Sequence, residues 1–326
     1  MEYRALGNSG LKISTVSLGT NNFGGNCDMA QCQAVVDAAI EVGVTMFDTA
    51  DVYPPGPGLM GKSEECLGKA LGARRKDVIV ATKWGMAMGK GPYLTGGSRR
   101  YIFNAVEASM KRLGTDYIDM YQMHFPDPST PIEETLMALG DLITQGKVRY
   151  IGASNFRGYQ IVDAAHKART LGVPPFISVQ NYYNILRRDI EDERLPGAIL
   201  SGVGLLPYFP LANGLLTGKY KRGEKPAAGT RFGEGSSMSG LSGLEMTERN
   251  FDLVEKLEKF GKERNLSLLE IAVAWLLAQP GVASCMTGAT RPEQIVQNAA
   301  AASAKLSEDD VKTLNEITKP PGGLPF

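Results

Sequence analysis

The sequence predicts an α/β chain closed into a (β/α)8 TIM barrel with an N-terminal β-hairpin cap and C-terminal rim loops, and three observations carry that prediction. Short apolar strand patterns alternate with helical ones about eight times between Val16 and Ala302. Several of those strands are apolar throughout, as expected where both faces of a parallel sheet are covered. The long glycine-rich insertions follow strands rather than helices, which puts them on the rim where such barrels keep their chemistry. A doubly wound open sheet is the alternative, but no GxGxxG follows the first strand.

Taken in order, Tyr3–Leu6 and Leu11–Ser14 flank Gly7-Asn8-Ser9-Gly10, a hairpin signal ahead of the repeat. Val16–Gly19 reads as a strand, Asp28–Val42 as a helix with Asp28 as its cap, and Val44–Asp48 as the next strand. Lys62–Leu71 is helical, and Val78–Thr82 is a strand running into Lys83. A helix over Ser98–Leu113 is ended by Gly114, and the strand Tyr117–Gln122 leads to His124. Pro131 opens a helix that stops before Gly146, and Val148–Gly152 follows as a strand. Then come helix Tyr159–Leu171, strand Phe176–Val179, helix Arg187–Leu200 and strand Gly204–Pro207. Helices over Thr247–Arg264 and Ser267–Gln279, a strand Ala283–Met286 and a helix Pro292–Ala302 complete the set. Thr318–Phe326, rich in proline and glycine, is expected to be an irregular arm. The whole of 1–326 reads as a single barrel domain.

Composition narrows the function. The 326 residues carry 35 basic and 35 acidic side chains, so no net field recruits nucleic acid or an anionic membrane. No apolar run approaches the roughly 18–20 residues of a membrane span. Met1–Leu6 lacks a basic start followed by an apolar block, so no secretory signal is expected. Cys27, Cys32, Cys66 and Cys285 form neither a CxxC nor a ligand cluster with the two histidines, His124 and His166. Reduced thiols, a cytoplasmic location and no metal site are the expectation.

The stretch Thr45-Met46-Phe47-Asp48-Thr49-Ala50-Asp51-Val52-Tyr53 organises the candidate chemistry. It places Asp48 at a strand end and Tyr53 just beyond, before Pro54-Pro55-Gly56-Pro57-Gly58 turns the chain away. Lys83 and His124 end two further strands, and in a barrel all these ends converge on one rim. A lysine beside a phenol favours the phenolate, and an aspartate holds the ammonium charged. His124 is placed to donate to a carbonyl oxygen. Singly, each has a dull explanation: a cap, a solvated lysine, a satisfied histidine. Together on one rim they point to proton transfer coupled to carbonyl chemistry. Residues 84–97, with Gly85, Met86, Met88, Gly89, Gly91, Gly96 and Gly97, and the insertion 217–246 belong to the same rim.

The chain resembles the aldo-keto reductase superfamily. The resemblance rests on FDTADVY, VATKWG and DMYQMHFPDP, and continues through GTDYID, GKVRYIGASNF and QNYYN. It implies a catalytic tetrad of Asp48, Tyr53, Lys83 and His124 and a nicotinamide dinucleotide bound without a Rossmann fold. By the same resemblance Ser154, Asn155 and Gln180 hold the carboxamide and Tyr208 stacks on the nicotinamide ring. Pro210, Leu211, Gly214 and Lys219 belong to a strap over the diphosphate, with Arg231 reaching towards the adenosine end. Gly288, Thr290, Arg291, Gln294 and Asn298 form the adenosine-phosphate site. Phe209 departs from the serine many members have, and Gln297 from a frequent glutamate. Thr290, Arg291 and Gln294 stand in for the lysine some members use on the 2′-phosphate. The resemblance thus implies NADPH, with NADH the second choice.

The implied activity is reversible reduction of aldehydes or ketones to alcohols, with Tyr53 as proton donor. The candidate substrate walls are Phe23, Tyr53, Trp84, Met86 and Phe125, an apolar set that favours aromatic or medium-chain aldehydes over phosphorylated sugars. Some members of the family are auxiliary potassium-channel subunits, so a redox-sensing nicotinamide-binding subunit is the alternative. A metal-dependent barrel isomerase would need a ligand set that two histidines do not offer.

Overall fold

The alternation of strand and helix closes into a barrel in the computed structural model of the chain. The structure describes residues 1–227, 229–233 and 242–320. Residues 228 and 234–241 of the expected rim insertion, and 321–326 of the expected arm, lie outside the described residues. An antiparallel hairpin comes first, β1 (Tyr3–Ala5) against β2 (Lys12–Ser14). The barrel strands are β3 (Val16–Gly19), β4 (Met46–Asp48), β5 (Ile79–Trp84), β6 (Ile118–Met123), β7 (Val148–Ser154), β8 (Ser178–Tyr182), β9 (Gly204–Tyr208) and β10 (Cys285–Gly288). Each pairs in parallel with the next, and β10 closes the ring on β3.

Around them run α1 (Met29–Glu41), α2 (Lys62–Leu71), α3 (Arg99–Leu113), α4 (Ile132–Thr144), α5 (Gly158–Leu171), α6 (Arg194–Ser201), α7 (Ser242–Glu245), α8 (Glu248–Arg264), α9 (Leu268–Ala278), α10 (Pro292–Ala301) and α11 (Glu308–Ile317). The caps follow the sequence. Asp28 accepts from the Gln31 N–H, and Gln31 returns the bond to the Asp28 N–H, both at 2.9 Å; such a cap contributes about 1 kcal/mol. Gly114 ends α3 in the left-handed region at φ 65°.

Two elements differ from the sequence reading. Arg187–Leu200 is not one helix but a short 3₁₀ turn, Asp189–Glu191, followed by α6 from Arg194. Pro196 is the cause: without an N–H it fits only a first helical turn, so the helix begins just before it. Helix α11 has no counterpart among the expected elements. It buries only Leu314 and is started by a Ser307–Asp310 capping box, so its apolar stripe is too narrow to read.

The hairpin plugs the lower end of the barrel. Leu6 and Ile13 join Met46, Ala81, Met120 and Leu206 in a small inner core separate from the larger core under the helices. Gly7 seats the hairpin turn: at φ 57° a β-carbon there would lie 2.6 Å from the Gly202 carbonyl oxygen. Successive side chains alternate across a strand, so residues two apart share a face. Met46, Ala81 and Met120 therefore give way, two residues higher, to Asp48, Lys83 and Gln122. The interior turns from apolar to charged within one layer.

No helix among the described residues is long and apolar enough to cross a membrane. All four cysteines are free. No group of three or more His, Cys, Asp or Glu side chains among the described residues could hold a metal ion.

Candidate active site

Asp48 is the hub of that polar layer. Lys83 Nζ donates to one of its oxygens at 2.5 Å, and the Gln122 and Gln180 amides donate to the other at 3.0 and 3.1 Å. Lys83, fully buried, also donates to the Thr49 carbonyl at 2.8 Å. A buried ion pair of this kind costs desolvation at both ends, and the further hydrogen bonds offset that cost. Burial lowers the Lys83 ammonium from its ordinary range, with Asp48 opposing the shift.

Tyr53 extends from the β4–α2 loop into the same space, its ring centre 5.2 Å from Lys83 Nζ. The sequence reading expects Lys83 to lower this phenol; the structure shows the opposite balance. Burial raises it, the charges of Asp48 and Asp51 add to the rise, and Arg231 opposes them. Burial is the largest cause, and the Lys83 charge is paired with Asp48 rather than with the phenol.

His124 follows β6 and meets Tyr53 edge to face, ring centres 5.6 Å apart. Burial, then the Lys83 charge, lowers it to about 3, so the imidazole is neutral near neutral pH. Its Nδ1 has no hydrogen-bond partner. The Asn155 amide donates to the His124 carbonyl at 3.0 Å and accepts from the Tyr208 hydroxyl at 2.8 Å. Asn155 adopts φ 62°, a left-handed conformation asparagine tolerates better than most residues. Ser154 donates to the Gln180 carbonyl at 2.9 Å. Asp48, Tyr53, His124, Phe125, Ser154, Asn155, Gln180, Tyr208, Phe209 and Arg231 line one pocket of about 200 Å³, joined by Asn21, Met286 and Gly288.

The remaining positions divide. Pro210 is buried and Leu211 half-buried at the start of an irregular strap in which Phe209, Ala212, Asn213 and Gly214 all have positive φ. Such residues hold a strained backbone at functional sites. Lys219 folds over Gly214, where a β-carbon would meet its Cε at 2.5 Å. Arg231 stands beside Gly288. It lines the pocket, donates to Asn213 at 3.1 Å, and lies 5.4 Å over the Phe209 ring. Thr290, Arg291, Gln294 and Asn298 gather at the start of α10, with Asn298 buried and Arg291 exposed. The Gln294 side-chain amide oxygen accepts from the Thr290 and Arg291 N–H groups at 2.7 and 3.3 Å, holding the donors a phosphate would use.

Phe23 and Trp84 are corrected as substrate walls, since both are fully buried in the large core. Lys83 faces the interior, so Trp84, the next residue, must face the helices, where it stacks on Tyr121 at 4.3 Å. Phe125 is 47% exposed at the mouth, and Met86 is half-buried. The sequence reading missed Gln122, Asn21 and Asn213. Only Gln122 carried a signal, its place two residues before His124 on a strand whose alternate positions face inward.

The match to known proteins agrees with this geometry. The aldo/keto reductase family model matches residues 15–319, and the chain belongs to that family. A protein of Oryza sativa subsp. japonica named "Probable voltage-gated potassium channel subunit beta" is 38% identical over 305 residues, covering 91% of this chain and 90% of that protein. An L-glyceraldehyde 3-phosphate reductase of Escherichia coli O157:H7 is 36% identical over 327 residues, covering 98% of this chain and 89% of that protein. A versiconal hemiacetal acetate reductase of Aspergillus parasiticus is 33% identical over 345 residues, covering 97% of this chain and 96% of that protein. The family and its oxidoreductase relatives make the chain an oxidoreductase.

Proposed function

We propose that the protein reduces aldehydes or ketones to alcohols with NADPH, in a reversible reaction, and uses NADH less well. The observation that carries this reading is the convergence of Asp48, Tyr53 and His124, with Lys83 buried behind them against Asp48, on one pocket whose wall includes Ser154, Asn155, Gln180 and Tyr208. The donor set fits a nicotinamide dinucleotide. Arg231 is a half-buried guanidinium whose hydrogen-bond partners among the described residues are neutral oxygens, Asn213 at 3.1 Å and Asn21 at 3.5 Å, so an anion is its natural partner. Gly288, where a β-carbon would come within 3.7 Å of Arg231, keeps the approach open.

A bound nicotinamide supplies the hydride. The residues supply the rest. Tyr53, kept a neutral phenol, gives its proton to the carbonyl oxygen as charge develops there. The neutral His124 imidazole donates a hydrogen bond to the same oxygen and orients it. Lys83, fixed by Asp48, sets the field in which Tyr53 loses and regains its proton. Exposed Phe125 favours a substrate with an aromatic or medium-length apolar end. Four free cysteines fit a cytoplasmic enzyme.

The rice relative's name favours a second reading, a nicotinamide-binding redox-sensing subunit. A screen of aldehydes and ketones, following absorbance of NADPH and NADH, separates the two. Multiple turnovers of a carbonyl support the enzyme. Cofactor that stays bound through purification and turns over once per chain supports the subunit.

A further inference from the structure

Asp51 is the buried titratable group that the reading above leaves without a role. It lies two residues before Tyr53, is 1% exposed, and gives its backbone N–H to the Lys83 carbonyl at 3.1 Å. Neither of its carboxylate oxygens makes a hydrogen bond within 3.5 Å among the described residues, though the Tyr101 hydroxyl and the Val52 N–H lie close enough to interact with it. Next to Lys83, the Trp84 Nε1 donor is likewise buried and unpartnered, and so is the hydroxyl of Tyr121, on which Trp84 stacks.

Every charged group facing Asp51 is committed elsewhere. Glu64 of α2 takes the Arg112 Nε of α3 at 2.6 Å and the Thr82 hydroxyl at 2.5 Å. Lys83 of β5 is taken by Asp48 and the Thr49 carbonyl. The remaining neighbours are phenols, Tyr101 of α3 and Tyr121 of β6 beside Tyr53 on the same loop, all raised in part by the Asp51 charge. An ionised Asp51 would be a buried charge with no counter-ion, a cost proteins avoid by keeping the group neutral. A metal cation does not resolve it, because the unpartnered groups beside it, an indole N–H and a phenol O–H, offer donors.

We propose, on the reductase reading, that Asp51 is a neutral carboxylic acid in the resting protein and a positioning residue whose ionisation delays formation of the Tyr53 phenolate. With Asp51 protonated, Tyr53 faces the charge of Asp48 alone. When Asp51 gives its proton to solvent, a second negative charge holds the phenol proton more tightly. Alcohol oxidation, which needs the phenolate, is thereby pushed to higher pH, and carbonyl reduction keeps its proton donor over a wider range. Burial, followed by the Glu64 charge, raises the acid to about 8, inside the range where this matters.

The test is Asp51→Asn, which keeps the shape and removes the charge. The alkaline midpoint of alcohol oxidation should move down by about one pH unit, a tenfold change in proton concentration. Asp51 itself should draw stability down as pH rises from about 4 to about 8, because the folded chain keeps a proton the unfolded chain gives up near roughly 3.9; above about 6.5, where His124 no longer opposes it, the wild-type protein should lose stability as pH rises. That slope should flatten in the variant. An unmoved midpoint overturns the link to Tyr53, and an unchanged stability slope overturns the neutral acid. If the variant does not fold, ¹³C-carboxyl NMR of the wild type decides: an aspartate resonance titrating near pH 8 is expected, and none above pH 6 overturns the proposal. Absence of any alcohol oxidation by the wild type defeats the reductase reading and the positioning role with it. The stability and NMR measurements then judge the neutral acid alone.

Discussion

Lys83 Nζ stands 2.5 Å from Asp48 and 5.2 Å from the centre of the Tyr53 ring, so the cation of the tetrad is shared unequally. The carboxylate takes most of it, and the phenol stays protonated. That division suits reduction, where Tyr53 must hold a proton until the carbonyl oxygen becomes basic enough to take it.

Tyr53→Phe removes that proton and little else, since the ring keeps its place against His124. Reduction should fall by several orders of magnitude while cofactor affinity, measured by fluorescence titration, is kept. A variant that retains about a tenth of the wild-type kcat would take the proton donor away from Tyr53.

Lys83→Met leaves Asp48 buried with only the Gln122 and Gln180 amides as partners. Breaking a buried pair by removing one member costs on the order of 3–5 kcal/mol, which urea denaturation would register. Loss of the cation should also suppress alcohol oxidation or move its profile to higher pH. An unchanged oxidation profile would show that the tetrad is only a resemblance.

His124 gives a pH dependence of stability with a defined sign. Its folded value of about 3 lies below the ordinary histidine value near roughly 6.5, so the unfolded chain binds the extra proton first. The stability this group contributes is fully present above about 6.5 and drains away as pH falls towards 3. His124→Asn should therefore weaken the acid-side fall of the thermal midpoint. A variant with the same acid slope as the wild type would mean that His124 is already protonated in the folded chain.

The barrel was legible because its signals are local. Strand periodicity, the Asp28 cap and the Gly114 terminator each act within a few residues, and the structure carries all of them. The convergence of Asp48, Lys83 and His124 was legible for the same reason, as strand ends in a closed parallel sheet must meet. What depends on facing direction was less so. Trp84 looked like a pocket wall because it follows Lys83, yet that adjacency sends it to the opposite face. The direction of the Tyr53 shift was hidden because it depends first on how deeply the phenol is buried and then on the nearby Asp48 and Asp51 charges, which no spacing encodes.

Arg231 and Arg291 are both candidate anion partners, and their surroundings separate their roles. Arg231 is half-buried in the pocket beside Asn213 and Gly288, and a contact there with a diphosphate would be common to both cofactors. Arg291 is exposed at the start of α10, where a cation opposes the helix dipole and serves the fold poorly. There the Gln294 side-chain amide oxygen occupies the Thr290 and Arg291 N–H groups, so a 2′-phosphate would displace it and gain both donors together with the guanidinium. Arg231→Met should weaken NADPH and NADH alike. Arg291→Ala should weaken NADPH by roughly tenfold, the scale of one charge-assisted contact, and leave NADH nearly unchanged. Isothermal titration of both cofactors against both variants reads the difference. Equal losses in Arg291→Ala would move that side chain off the 2′-phosphate, and no loss for either cofactor would make it plain surface.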